Sequence, residues 1–428
     1  MTVSRRQFLA GLGIGVGAVA AGSYGVSVWG RDGSEGPASR ALGSPGSLSE
    51  GGARRTLVVL ELGGGNDALN TVVPIGVAAG RYHDLRPTLG VTDPIGLDDE
   101  IGLHPNLARL AQRYEAGDVA IVEGIGYEPY DLSHFGSFAT WWSAAGGAGQ
   151  AGWLGRYLDL TVGFDDPLAG VSIGPSPSPA MLGTQSFSTS IADPTGLRPG
   201  VPAWVGSPDE LLAAWKGFAP AKVDSTTLNG RVRGAIGASV DAEAELATVL
   251  DASAAEPAAP AAPGSEGAYG EATAALVLAA QVVQGDDPPR VVYVHGLGDY
   301  DTHQGQAARH PALMTDVDTG IGNFFDAVER AGIADRVTLM TASEFGRRPA
   351  ENGDGTDHGT ASTHFVIGAG VTGGRYGEPH DLARLDRTGN LAAPIDFRSL
   401  YATALDGWLG VDAEAVLGGE HPILPVFA

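Results

Sequence analysis

Thr56-Leu-Val-Val-Leu-Glu-Leu62 is a continuous apolar run, and Gly63-Gly-Gly-Asn-Asp67-Ala-Leu-Asn70 follows it directly. Such a run predicts a strand that is buried on both faces, as in a parallel sheet. The glycines predict a tight turn, after which Asp67 either caps a helix or binds a ligand at the strand end. The segment is not a phosphate-binding loop, because no Gly-Lys-Ser/Thr follows.

The rest of the chain alternates between strand and helix patterns. Strands are predicted at 119–125, 290–295, 336–342 and 364–368, and helices at 105–117, 133–145, 210–215, 228–250, 272–283, 311–332 and 397–409. This alternation predicts an α/β fold with a mainly parallel sheet and helices on both faces. Residues 167–202 predict short strands of a peripheral region, and residues 252–270 predict a linker or loop. We expect one domain over 55–428, with a cap or insert around 160–270.

The first residues have the features of an export signal. Ser4-Arg5-Arg6-Gln7-Phe8-Leu9 resembles the signal that the twin-arginine translocase reads, and a glycine-diluted apolar stretch over 9–28 follows it. The alternative is a membrane anchor, which the glycines and the short length disfavour. We predict a signal peptide over 1–30, a flexible tether over 31–54 and no stable membrane span. The translocase would then deliver the protein to the periplasm, the cell envelope or the medium.

Composition limits the chemistry. The net charge of -24 makes nucleic acids and anionic membranes poor partners for the surface. The chain has no cysteine, so disulfides, thiolate zinc sites and cysteine nucleophiles are excluded. Any metal site must therefore use carboxylate, imidazole and amide ligands.

Polar side chains follow the predicted strands at the ends where ligands bind in open α/β sheets. They are Asp67, Asp299, Asp301, His303 and Glu344, with Asp357 and His358 just before the strand at 364–368. Each segment alone could be an ordinary turn, but crowded carboxylates repel one another unless a cation neutralises them. We therefore predict a divalent metal, with zinc favoured and manganese, calcium or magnesium as alternatives.

Five segments together resemble the domain-of-unknown-function 1501 family: GGGNDALN, DTHQGQ, SEFGRR, ENGDGTDHG and DFRSLYATALDGWLG. The resemblance covers residues 55–415 and is weakest across 160–270. By fold, that family belongs to the alkaline-phosphatase and sulfatase superfamily. The resemblance therefore implies two metal ions at the strand ends and a Ser or Thr nucleophile at the start of a helix.

The resemblance also implies roles for individual residues. Asp67, Asp301, His303, Glu344, Asp357 and His358 match positions of metal ligands or family motifs. Asp299 replaces a usual glycine and has an Asp-x-x-x-His spacing with His303, so it competes with Asp301 as a ligand. Glu344-Phe345 stands where the superfamily has Asp-His, so one histidine ligand is missing.

Ser133 and His134 begin a predicted helix after a strand, which is where the resemblance implies a nucleophile, so they are the candidate catalytic residues. Ser133 is either a nucleophile, activated by the helix dipole and a metal, or a helix N-cap. His134 is a ligand, a proton carrier or a group that orients phosphate. Arg347 and Arg348 either hold an anionic substrate by bidentate contacts or form surface ion pairs.

Two functions are compatible with these features. The first is a metal-dependent hydrolase of small anionic phosphate or sulfate esters that uses a metal-activated Ser133. The second is a non-catalytic, metal-containing envelope protein that binds a partner or polymer, which the missing histidine favours.

Overall fold

The computed structural model describes residues 54–145, 150–163, 166–191, 204–219, 224, 227–253 and 270–428. Over these residues the strands are β1 (Thr56–Glu61), β2 (Val72–Pro74), β3 (Ile95–Gly96), β4 (Ile101–Leu103), β5 (Val119–Gly126), β6 (Gly170–Ile173), β7 (Thr189–Ile191), β8 (Val291–Val294), β9 (Val337–Ala342), β10 (Gly346–Glu351), β11 (Thr356–Gly359), β12 (Ser362–Gly368), β13 (Gly374–Tyr376) and β14 (Ile395–Asp396).

The helices of the same residues are α1 (Ala68–Thr71), α2 (Ala79–Leu85), α3 (Ala108–Ala116), α4 (His134–Ser143), α5 (Trp153–Thr161), α6 (Pro208–Phe218), α7 (Leu228–Ser253), α8 (Glu271–Val283), α9 (Gln306–Arg330), α10 (Phe397–Thr403) and α11 (Ala413–Leu417). A π-helical turn, Ala404–Trp408, continues α10. Short 3₁₀ turns lie at Gly76–Ala78, Pro179–Met181 and Ala334–Arg336.

Among the described residues, the main sheet has nine strands in the order β13-β5-β12-β9-β1-β8-β6-β7, with β14 beside β5. β1 pairs in parallel with both β8 and β9. β12 is antiparallel to its neighbours β5 and β9, whereas the other pairings are parallel. The chain therefore enters β12 at the edge where the parallel strands end. The predicted α/β class with a mainly parallel sheet is confirmed.

Helices cover both faces of the sheet because β1 is apolar on both faces. Leu57 and Val59 belong to a core with Trp141 of α4 and Trp153 of α5. Val58 and Leu60 belong to the opposite core, which includes Leu110 of α3, Leu276 of α8 and Phe324 of α9. Each of the four β1 side chains is fully buried, a gain of about 2 kcal/mol apiece. The continuous apolar run is thus explained by its central place in the sheet.

The strands predicted for a cap region belong to the main sheet instead. β6 pairs in parallel with β8, and β7 pairs with β6. The four residues of β6 are buried, so the strand extends the core rather than covering it from outside. Helices α6 and α7 form a small apolar cluster of their own with Leu211, Trp215, Ile236 and Val240. The predicted insert is therefore only partly separate from the sheet.

The predicted signal peptide, most of the tether and most of the predicted linker over 252–270 lie outside the described residues. In the part of the chain that is described, no helix is both long enough and apolar enough to span a membrane.

Candidate metal centre

One aspartate and two histidines meet at the edge where the parallel strands end. His134, Asp301 and His358 each place a possible ligand atom within 4.8 Å of the others. His134 begins α4 after β5, Asp301 follows β8, and His358 lies in β11 just before β12. Carboxylate and imidazole donors are the set that zinc and similar divalent metals prefer.

Both histidines of this cluster direct Nε2 toward Asp301. His134 Nδ1 lies 2.7 Å from a Glu344 oxygen, and His358 Nδ1 lies 2.7 Å from the Leu132 carbonyl. Because these oxygens accept hydrogen bonds, Nδ1 carries the hydrogen in each ring and Nε2 is free to bind a cation. The Nε2 atoms lie 3.4 Å and 3.1 Å from Asp301. The hydrogen bond to Glu344 raises the pKa of His134, whereas burial lowers the pKa of His358.

His303 adds a third Nε2 atom to the same point. Its Nε2 lies 2.9 Å from His358 Nε2 and 3.2 Å from Asp301 Oδ1. Asp357 holds the other ring nitrogen, Nδ1, at 3.1 Å. Two imidazole nitrogens this close repel each other through their lone pairs unless a proton or metal ion lies between them. The donor arrangement therefore fits a bound divalent cation.

Arg347 fixes the charge of the central aspartate. Its side chain is fully buried, and Nη2 lies 2.6 Å from Asp301 Oδ1. Partial burial opposes ionisation, but the hydrogen bond and charge of Arg347 lower the pKa of Asp301 to about 2. The guanidinium also donates to the carbonyls of Gly64, Gly65, Tyr300 and Thr356. The expectation that Arg347 holds substrate is wrong, since its donors are buried and already bound.

Arg348 differs from Arg347 because it is only half-buried. Its Nε lies 3.4 Å from the carbonyl oxygen of His358, beside the cluster. Arg348 therefore remains a candidate contact for an anionic substrate.

Glu344 lies behind His134 and orients it. Its buried carboxylate accepts hydrogen bonds from the Gly64 and Gly65 amides at 2.9 and 3.2 Å, as well as from His134. The glycines have φ of +114° and +80°, and a Cβ on Gly64 would lie 2.4 Å from the Asp301 amide. Only glycine fits this turn, which explains the motif after β1. Glu344 was predicted as a ligand, but in the structure its carboxylate is the hydrogen-bond partner of His134, which belongs to the cluster.

We expect Glu344→Gln to lower the affinity for a divalent metal by about 10- to 100-fold, because the amide orients His134 less firmly than the carboxylate does. Isothermal titration with Zn²⁺ measures the change. Glu351→Gln is the matched control, since Glu351 also accepts backbone hydrogen bonds, from Thr88 and Leu89, away from the cluster. Equal loss in the two variants would contradict the orienting role.

Asp67, a predicted ligand, lies outside the cluster. Its carboxylate is buried, pairs with Arg86 at 2.6 Å and accepts the Asn70 amide at 3.2 Å at the start of α1. Burial opposes ionisation, but the charge of Arg86 lowers the pKa of Asp67. The helix-cap alternative for Asp67 is therefore the one that the structure shows. Arg86, which sequence reasoning missed, lies 19 residues further along the chain with no motif to mark it.

The other two acids are placed differently. Asp299, considered as a competitor of Asp301, pairs with Arg309 at 2.8 Å and accepts the Asp301 amide at 3.1 Å. It therefore shapes the loop rather than joining the cluster. Asp357 is half exposed and reaches the cluster through His303, and its hydrogen bond from Asn352 lowers its pKa.

Ser133 lies between two residues that contact the cluster. The carbonyl of Leu132 binds His358, and the ring of His134 belongs to the cluster itself. Ser133 is exposed and occupies the N-cap position of α4, but its side chain makes no capping hydrogen bond. The N-cap alternative therefore does not account for its hydroxyl, which points to no described partner.

Glu61, at the end of β1, is a buried acid. Its Oε2 accepts hydrogen bonds from Trp142 Nε1 at 2.6 Å and Tyr293 Oη at 2.7 Å. Burial raises the pKa of Glu61 to about 7, although these hydrogen bonds oppose the shift. The folded state therefore holds one more proton than the unfolded chain between pH 4.5 and about 7. Binding of this extra proton favours the folded state, so the unfolding free energy falls as the pH rises through that range.

We expect Glu61→Gln to remove this pH dependence, because the amide oxygen can accept the same two hydrogen bonds without a charge. Relative to the wild type, the variant should gain about 1.4 kcal/mol of unfolding free energy per pH unit as the pH rises through this window. Urea unfolding of both proteins at several pH values measures the difference. A difference that does not vary with pH would show that Glu61 is already ionised throughout.

Comparison with known protein families agrees with the motif resemblance. Residues 218–420 match the model of the family described as "Protein of unknown function (DUF1501)". The predicted resemblance is confirmed over these residues, which carry Asp301, Glu344 and His358; the glycine motif after β1 precedes them. No curated protein matches the chain.

Several solved structures are similar to the chain at low sequence identity. An alkaline phosphatase from the Antarctic bacterium TAB5 is 10% identical, with 75% of this chain and 94% of that chain covered and a TM-score of 0.34. A protein in the alkaline phosphatase superfamily from Vibrio parahaemolyticus is 11% identical, with coverages of 80% and 68% and a TM-score of 0.32. The C-terminal periplasmic domain of EcEptC from Escherichia coli, in complex with Zn, is 9% identical, with coverages of 75% and 74% and a TM-score of 0.36.

Proposed function

We propose that the protein is an exported, metal-dependent hydrolase of phosphate or sulfate esters. The observation that carries this proposal is the convergence of three Nε2 atoms on the ionised carboxylate of Asp301. His134, His303, His358 and Asp301 would hold the metal, with zinc favoured by the imidazole-rich donor set. When bound, a divalent cation supplies positive charge that stabilises developing negative charge and lowers the pKa of a nearby hydroxyl.

Ser133 is the proposed nucleophile. Ser133 is exposed and is the N-cap residue of α4, a helix of ten residues that starts at His134. The helix dipole therefore favours negative charge on the Ser133 hydroxyl oxygen. Attack forms a bond from Ser133 Oγ to phosphorus or sulfur and breaks the bond to the leaving oxygen. The Ser133 proton passes to solvent, and the leaving alkoxide takes a proton from solvent. Water then hydrolyses the intermediate and regenerates the Ser133 hydroxyl.

Binding of the anionic ester is assigned to Arg348. Its guanidinium is half-buried beside His358, and a guanidinium can donate two parallel hydrogen bonds to a phosphate or sulfate group. Arg347 is buried against Asp301 and keeps that carboxylate ionised, so it takes no part in binding the ester.

The test is hydrolysis of aryl phosphates and sulfates by purified protein supplied with Zn²⁺, Mn²⁺, Ca²⁺ or Mg²⁺. We expect turnover with at least one metal and a loss of about 1,000-fold or more in Ser133→Ala. Ser207→Ala, which removes another serine at a helix N-cap, should retain full activity. No turnover with any metal, or equal turnover by Ser133→Ala, would defeat this mechanism.

A non-catalytic metal protein of the cell envelope is the second candidate. The observation in its favour is that, among the described residues, the Ser133 hydroxyl has no hydrogen-bonded base to accept its proton. This candidate predicts bound metal without hydrolysis, so the same assay separates the two functions.

Export itself is part of both proposals. Retention of an Arg5→Lys/Arg6→Lys variant in the cytoplasm would support it, and unchanged export would oppose it.

A further inference from the structure

We propose, on the basis of the metal centre proposed above, that Gln306 is a positioning residue that joins the segment carrying Asp301 to the segment carrying His358. Gln306 is the first residue of α9 and is almost fully buried. It lies next to the cluster without belonging to it, and it has no role in the proposed chemistry.

The side-chain oxygen of Gln306 binds both segments at once. Oε1 accepts hydrogen bonds from Thr302 Oγ1 at 3.1 Å and Thr356 Oγ1 at 2.7 Å, and both threonines are fully buried. Thr302 directly follows Asp301, and Thr356 lies two residues before His358. A shift of either threonine would therefore move a proposed ligand relative to the other.

The opposite end of the same amide is anchored to the ion pair of Asp67. Gln306 Nε2 donates to Asp67 Oδ2 at 2.5 Å, and the ionised carboxylate can only accept hydrogen bonds. The amide therefore cannot rotate by half a turn without losing its bonds at both ends. Arg86, which neutralises Asp67, also donates to the carbonyls of Arg348 and Pro349 in β10, the partner strand of β11.

Backbone hydrogen bonds give these segments a second connection that side-chain substitutions leave in place. The Thr356 amide donates to the Thr302 carbonyl at 3.1 Å, and the Gln306 amide donates to the Asp354 carbonyl at 3.0 Å. Removal of the side-chain bridge should thus leave the fold intact and change the relative placement of Asp301 and His358.

The test uses Co²⁺ as the metal probe, because its visible absorption reports the arrangement of ligands and does not depend on activity. In Gln306→Met, which keeps the length of the side chain, we expect a changed spectrum. We also expect the affinity for Co²⁺ to be about 10-fold lower than that of the wild type. Thr356→Val keeps the shape of the side chain and removes one hydroxyl. It should change the spectrum and the Co²⁺ affinity in the same direction as Gln306→Met, but by a smaller amount. Thr338→Val is the matched control, since Thr338 is equally buried but binds Ala369.

The outcomes distinguish this inference from the proposed function. A wild type that binds no Co²⁺ would overturn the metal centre and, with it, the positioning role. A wild type that binds Co²⁺, with Gln306→Met and Thr356→Val giving the same spectrum and an affinity within about twofold, would overturn the positioning role alone. If Gln306→Met does not fold, the comparison of Thr356→Val with Thr338→Val decides.

Discussion

Asp301→Asn is expected to lower the affinity for a divalent metal by more than about 100-fold. This loss is larger than the one expected for Glu344→Gln, which changes only a residue that orients His134. The substitution keeps the shape of the side chain and its hydrogen bond from Arg347, but it removes the negative charge on which three imidazole nitrogens converge. The buried Arg347 then lacks a counter-ion and repels the metal instead. Zinc titration by calorimetry measures the change in affinity.

The matched control for this prediction is Asp299→Asn. Asp299 lies two residues away in the same loop, but its carboxylate is exposed and pairs with Arg309. We expect its affinity to stay within about threefold of wild type, because screened surface charges contribute little. Both variants are compared below their unfolding temperatures, so that a loss of fold is not mistaken for a loss of ligand. Wild-type affinity in Asp301→Asn would remove Asp301 from the centre of the site.

Arg86→Leu has the largest effect expected on stability. Arg86 and Asp67 are both fully buried, so the variant leaves a buried carboxylate without its cation. The unfolding free energy should fall by about 3–5 kcal/mol at neutral pH. Burial then raises the pKa of Asp67, which Arg86 holds down in the wild type. The deficit should therefore shrink as the pH falls and the carboxylate takes up a proton.

Chemical denaturation at neutral and mildly acidic pH measures both effects. Arg384→Leu serves as the control, because it breaks the exposed pair with Asp381 and should cost about 1 kcal/mol or less. Arg86→Leu/Asp67→Asn should recover part of the loss, since the uncompensated charge is gone. A deficit in Arg86→Leu no larger than that of the control, or one that grows at lower pH, would contradict the role of the ion pair.

Sequence reasoning succeeded where one local pattern decided the structure. The apolar run of β1 predicts a strand buried on both faces, and the glycines that follow it predict a tight turn. It could not place β6 and β7, because Pro- and Ser-rich composition resembles a loop whether or not the strands pair with a sheet. It also could not predict that β12 is antiparallel, which is what brings His358 to the same edge as Asp301.

The site was only partly predictable for a similar reason. Residue type and position at a strand end identify a carboxylate, but its partner decides what it does. Asp67 is neutralised by Arg86, and Glu344 is turned toward His134. His134, which comes from α4, reaches the end of β9 through its hydrogen bond to Glu344. Only the folded chain shows that these distant residues meet.

The most direct test of the metal centre is elemental analysis of the protein purified after export from its native host, without chelators. We predict a stoichiometric divalent metal in the wild type and its loss in Asp301→Asn prepared in parallel. A wild type that is folded, metal-free and unable to take up Zn²⁺, Mn²⁺, Ca²⁺ or Mg²⁺ would contradict the central claim that His134, His303 and His358 converge on Asp301 to hold a cation.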